Sequence, residues 1–180
     1  MSTILLAKGV EVLPPDVTAA ATDATTALTN PIAELALATL ILIPIIVFHG
    51  WGLGRISKLF ATRFALYTPA TPGWRVSAMI GATIALLVFI HLIETMLWTI
   101  PLTTLGMIDS FRDAYYYVLE AYTTLGEGTI ALPDRWRLIG PVIAISGLFT
   151  FGWTGSVLVY VMTQTGKLHA ERSKAAAATP

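Results

Sequence analysis

Three long apolar runs, separated by short polar segments, dominate the chain. Pro31 to Gly54, Val76 to Ile100 and Leu138 to Met162 each reach the length needed for a membrane-spanning helix. That length is roughly 20 residues at a rise of about 1.5 Å each, set by a hydrocarbon core of about 30 Å. Each run is expected to be such a helix. Residues 1–30, rich in Ala and Thr with Pro14 beside Pro15, are expected to form a loosely ordered arm with at most one short helix. Between the first two runs, SKLFATRFALYTPATPGW predicts a loop with a short interfacial helix ended by Pro69 and Pro72. Trp51 and Trp74 sit near its ends as aromatic anchors.

The segment Leu102 to Arg137 breaks the pattern. Asp109-Ser110-Phe111-Arg112-Asp113 reads as a helix start, with Ser110 as N-cap and Asp113 at the third helical position in the manner of a capping box. The helix would carry Tyr115, Tyr116, Tyr117 and Leu119 and end near Tyr122. About three turns cannot cross a bilayer, and the aromatic content does not suit free water, so a re-entrant helix is expected. Irregular backbone at membrane depth is tolerated only when buried in protein or lining a water-filled cavity.

Composition supports a bilayer as the solvent. Of 180 residues, 55% are hydrophobic and 12% charged, against about 25% charged in ordinary soluble domains. The fold class expected is an all-α integral membrane protein with three spans plus the re-entrant helix and its loop. The absence of cysteine excludes disulfides, thiolate metal sites and cysteine nucleophiles. The opening MSTILLAKGVEVLPP has too short an apolar run for a signal peptide, so the N-terminus is expected to be retained. Net charge is zero, but Arg55, Lys58, Arg63 and Arg75 follow the first run, and Lys167, Arg172 and Lys174 follow the third. Acids collect in the other segments. The basic loops are therefore expected inside, with the N-terminus outside and the C-terminus cytoplasmic, and the cell inner (plasma) membrane is the expected location.

Candidate chemistry lies in Tyr122 to Ile130, YTTLGEGTI. To turn successive carbonyls toward one axis, an extended loop must alternate right-handed and left-handed backbone, and left-handed positions are cheap only for glycine. Gly126 and Gly128 stand two apart, as that alternation requires. Four copies about an axis would stack rings of oxygens able to replace a cation's hydration shell, with the Thr124 hydroxyl at the inner mouth. A helix aiming its negative C-terminal end at the axis would also favour a cation.

The segment from Glu120 to Thr129 resembles the pore-helix end and selectivity filter of the potassium channel superfamily, whose signature is Thr-x-Gly-Tyr-Gly-Asp. The wider stretch from HLIETMLW through YTTLGEGTIALPDRWRLIGPVIAISGLFTFGWTGSVL is similar to the small bacterial ion-channel proteins labelled two-pore-domain potassium channel family. The resemblance implies a homotetramer with one pore. Residues 76–164 would form the pore domain and 31–54 an extra helix, with 1–30 as an external arm. A cytoplasmic loop at 55–75 and a cytoplasmic tail at 165–180 complete the expected division. Carbonyls of Thr124, Leu125, Gly126, Glu127 and Gly128 would coordinate potassium or another cation, with Glu120, Thr123 and Thr129 supporting the filter. Gly147 or Gly152 would permit bending at a gate.

Glu127 replaces the signature Tyr and Thr129 the signature Asp. The Glu127 carboxylate either finds donors behind the filter, such as Thr123 or a pore-helix tyrosine, or turns toward the ion; near Glu120 the two would titrate as a coupled pair. Loss of both signature residues keeps open a subunit that packs in a larger membrane assembly without conducting. A ring of Glu127 side chains would instead suit sodium or divalent ions.

His91 and Glu94 share one face of the second run and are expected to pack against the re-entrant helix as interhelical hydrogen-bond glue, in preference to a proton relay or a metal site. A haem enzyme using His49 and His91 is disfavoured. His49 lies about five residues from the inner end of its run and His91 about fifteen from its own, a mismatch of roughly 15 Å at about 1.5 Å per residue. No catalytic triad, phosphate loop or zinc spacing appears, so no enzyme, cofactor or metal is expected. Sparse basic residues give no nucleic-acid surface. Lipid, further copies of the chain and other membrane subunits are the partners expected.

Overall fold

The computed structural model describes residues 30–178. The expected external arm lies almost wholly outside them. The described residues are helical, without strands, in the order α1 (Pro31–Phe64), α2 (Gly73–Thr104), α3 (Phe111–Tyr122), a 3-10 turn (Asp134–Trp136) and α4 (Ile139–Ala177). Three of these helices, α1, α2 and α4, are long and apolar enough to cross a membrane. The chain is an all-helical protein of membrane-protein character.

Local chemistry accounts for the starts. The Asn30 side chain accepts from the backbone N–H groups of Ile32 and Ala33 at 3.1 and 3.2 Å, and Pro31 occupies a position where no N–H is needed. Ser110 caps α3 by accepting from Asp113 N–H at 3.3 Å, as its sequence predicts. No side chain of its own segment caps α4. Instead Glu34, buried in the first turn of α1, accepts from the backbone N–H of Leu138. A carboxylate placed there satisfies an orphan donor and faces the positive end of the α4 dipole. Glu34→Ala is expected to lower stability by about 2 kcal/mol, since it strands a part-buried donor. Glu34→Gln should cost less, and thermal unfolding of the detergent-solubilised chain measures both.

The helices run further than the hydropathy breaks predict. α1 continues to Phe64 rather than ending at Gly54, because Leu53, Ile56 and Phe60 keep an apolar stripe facing α2 and α4. Arg55, Lys58 and Arg63 project from its other side. The predicted interfacial helix is thus the end of α1, and the true connection is only residues 65–72. α4 likewise runs through the predicted tail. Val157, Val161, Thr165 and Leu168 are buried at helical spacing, and Arg172 Nη2 donates to the Thr71 carbonyl in the α1–α2 connection. At the other end of α2, Pro101 lies inside the helix instead of ending it.

α1 packs on both α2 and α4, and α3 is wedged between α2 and α4. One apolar core, including Trp98, Leu102, Val118, Tyr122, Ile139 and Ile143, fills the half that holds α3. A second, with Phe60, Leu87, Ile90 and Val161, fills the opposite half. Trp98 Nε1 donates to Ser146 Oγ at 3.0 Å and ties α2 to α4. Large apolar side chains nonetheless remain outside: Leu40, Val47, Leu148 and Val159 are each more than 60% exposed. Such a surface suits lipid or further copies, not water.

Candidate functional site

α3 ends in a tight set of backbone bonds. Thr123 N–H donates to Leu119 O and Leu125 N–H to Glu120 O, at 3.0 and 2.9 Å. Residues 123–129 then run exposed along the chain surface. Their backbone alternates in handedness: Thr124, Gly126 and Gly128 have φ of 59°, 64° and 70°, while Leu125 and Glu127 between them do not take positive φ. Sequence reasoning assigned the left-handed region to the two glycines. Thr124 joins them at a cost of about 1–2 kcal/mol for an L-residue. Strain of this kind collects at functional sites. Alternating handedness of this kind is what an extended loop needs in order to turn successive carbonyls toward one axis.

Glu127 is turned back toward its own helix. Its Oε2 accepts from the Tyr116 hydroxyl at 2.9 Å. Thr123, the other expected donor, is engaged elsewhere: its hydroxyl donates to Leu119 O at 2.7 Å. The bond to Glu127, then desolvation and the charges of Glu120 and Glu127, hold the Tyr116 phenol above its usual range, opposed by a bond with Thr129. Because the raised group is an acid that donates while protonated, the tether persists at neutral pH. It is lost only as pH rises through the elevated value. Glu120 is buried at 4% exposure beneath the loop, and its Oε1 has no hydrogen-bond partner. No hydrogen bond joins Glu120 to Glu127 among the described residues. Glu120 lines a cleft of about 280 Å³ with Tyr117, Thr124, Gly126, Gly128 and Gly140.

Gly147 explains how α3 reaches this place. A Cβ there would lie 2.0 Å from the Tyr122 carbonyl oxygen, so the end of α3 sits directly on the α4 backbone. At Gly152 a Cβ would meet nothing within 4 Å, and α4 is continuous through both glycines.

Beneath the loop, Tyr122 anchors a buried polar cluster. Its hydroxyl donates to Glu94 Oε2 at 2.6 Å and pairs with Thr150 Oγ1 at 2.6 Å. Burial, then the bond to Glu94, push its phenol well above the usual range. His49 Nδ1 lies 2.5 Å from Glu94 Oε1, and His91 Nδ1 lies 2.9 Å from the Tyr122 hydroxyl. The cluster therefore joins α1, α2, α3 and α4. This corrects the expected depth mismatch of the two histidines: their ring centroids are 5.3 Å apart. The error came from the end of α1. Measured from Phe64 instead of Gly54, His49 stands at nearly the depth of His91. His91 and Glu94 do bond between helices: Glu94 with His49 and Tyr122, and His91 with Tyr122 and Thr154, while Thr150 reaches the cluster through Tyr122. For the two threonines, which the sequence reading did not join to them, the four-residue step from Thr150 to Thr154 on α4 was the available signal.

Among known proteins, no family model matches the chain, and neither a curated protein nor a solved structure shows significant similarity.

Proposed function

We propose that the chain is the subunit of a homotetrameric cation channel of the potassium-channel type. In this reading α2, α3 with the 123–129 loop, and α4 form the pore unit, and α1 packs outside it. The orientation read from the charges puts the N-terminus outside and the C-terminus in the cytoplasm of a bacterial inner membrane. One observation carries the reading: the alternating backbone at Thr124, Gly126 and Gly128, in an exposed loop that follows a short capped helix. A surface turn has no need of three left-handed residues at a spacing of two. One copy leaves this loop, its cleft and the orphan oxygen of Glu120 open, which suits completion by neighbouring copies.

The bond from Tyr116 supports a bracing role for Glu127 over a ring of charges. Flux of potassium, sodium and calcium into liposomes holding the full chain tests this. Glu127→Gln keeps an acceptor for Tyr116 and is expected to leave the ion preference unchanged. Glu127→Ala and Tyr116→Phe remove the tether and are expected to lower flux several-fold and loosen selectivity. A changed preference in Glu127→Gln alone would assign the charge to the ion path.

A further inference from the structure

The six side chains beneath the loop do not close as a hydrogen-bond network. Tyr122 has one hydrogen, and it is committed to Glu94 Oε2 at 2.6 Å. His91 Nδ1, 2.9 Å from that phenol oxygen, must then carry a hydrogen to bond it, which leaves His91 Nε2 as an acceptor. His49 Nδ1 likewise must carry a hydrogen toward Glu94 Oε1, which leaves His49 Nε2 as an acceptor. Both Nε2 atoms face the same oxygen: Thr154 Oγ1 is 3.0 Å from His91 Nε2 and 3.4 Å from His49 Nε2. Thr154 has one hydrogen for two acceptors. With neutral rings the cluster is short by one positive centre.

The opposite tautomers change what is missing. If both rings carry their hydrogen on Nε2, the two lone pairs of Thr154 Oγ1 accept both. Both Nδ1 lone pairs then converge on the Glu94 carboxylate, at 2.5 Å for His49 and 3.6 Å for His91. Lone pairs facing a carboxylate require a cation between them. A shared outer acceptor that fixes two imidazoles in one tautomer is how metal ligands are oriented.

We propose that His49 Nδ1, His91 Nδ1 and the Glu94 carboxylate form a binding site for a divalent transition metal of the zinc type. One donor atom from each of the three residues lies within 4.8 Å of the others. Ligands about 2.0 Å from a tetrahedral ion stand roughly 3.3 Å apart, so small side-chain shifts suffice. Two imidazoles and a carboxylate suit zinc, and the Tyr122 hydroxyl closes the fourth side. Among the described residues no lysine or arginine joins the cluster, and Glu94 is wholly buried, so a cation is what its charge lacks. The His91 side chain, 12% exposed, marks the point of entry. Loading moves the ring hydrogens from Nδ1 to Nε2 and releases to solvent the additional proton that supplies the positive centre in the metal-free cluster. A filled site clamps α1 to α2 directly under the end of α3. The proposal stands whether or not the loop conducts.

The test is zinc binding by the full chain, stripped with chelator in detergent, dialysed against zinc and analysed for metal. About one zinc per chain is expected, with X-ray absorption showing two imidazoles and oxygen ligands at about 2.0 Å. Glu94→Gln and His91→Asn should fall to background, whereas His169→Asn, at the exposed end of α4, should keep the metal. Thr154→Val should keep the stoichiometry and bind about 10- to 100-fold more weakly. If variants misfold, the absorption spectrum of the native protein decides alone. No zinc above background would overturn the site in favour of a proton on an imidazole. Undiminished zinc in Glu94→Gln, or a spectrum without imidazole, would overturn it as well.

Discussion

Gly126→Ala and Gly128→Ala are each expected to reduce cation flux to background while the protein remains folded and assembled. The two glycines hold φ of 64° and 70°. An L-residue pays about 1–2 kcal/mol there, and the proposed tetramer would carry four copies of the change, so about 4–8 kcal/mol would work against the oxygen-lined arrangement proposed for one pore. Each factor of ten in an equilibrium takes about 1.4 kcal/mol, so the loop relaxes out of register. Stability should hardly move, because residues 123–129 are exposed and contribute nothing to either apolar core. Gly81→Ala is the control: a Cβ there meets nothing within 4 Å, and both flux and stability should be retained. Equal flux from Gly126→Ala and the native chain would separate the loop from conduction.

The largest loss of stability is expected from Gly147→Ala. A methyl group would stand 2.0 Å from the Tyr122 carbonyl oxygen and 2.9 Å from its carbon. Those are backbone atoms, so no rotamer change relieves the contact, and α3 must move away from α4. Overpacking costs about 1–3 kcal/mol, and a backbone obstacle belongs at the upper end. Gly152→Ala, with open space around it, should cost nothing in thermal unfolding and provides the comparison. A Gly147→Ala protein of native stability but altered opening would favour a hinge at this position over a packing contact.

Much of the loop was legible from a few residues. Gly126 and Gly128 at a spacing of two announce alternating backbone, and Ser110 with Asp113 announces the start of α3, because these are local preferences that neighbours rarely overturn. The helix ends were less legible. Arg55, Lys58 and Arg63 look like a loop when hydropathy is averaged, but in a helix they fall on the side away from Ile56 and Phe60. That ten-residue displacement of the α1 end hid the pairing of His49 with Glu94. Thr150 and Thr154, despite their four-residue step, were hard to read for another reason. A threonine inside an apolar helix usually bonds its own backbone, as Thr150 also does to Ser146 O at 3.0 Å. Only the tertiary arrangement shows Tyr122 and the two histidines converging on them. Thr124 at positive φ had no sequence signal at all, since threonine does not favour that region.

Reconstitution tests the conduction reading most directly. The full chain is purified, its mass is measured in mild detergent, and potassium flux is recorded from liposomes that contain only this protein. Four copies per particle and potassium flux that Gly126→Ala abolishes are the expected results. Intact tetramers that pass no potassium, sodium or calcium would contradict conduction and leave the alternating loop as a packing element. A stable monomer would contradict it too, because one copy cannot enclose a pore.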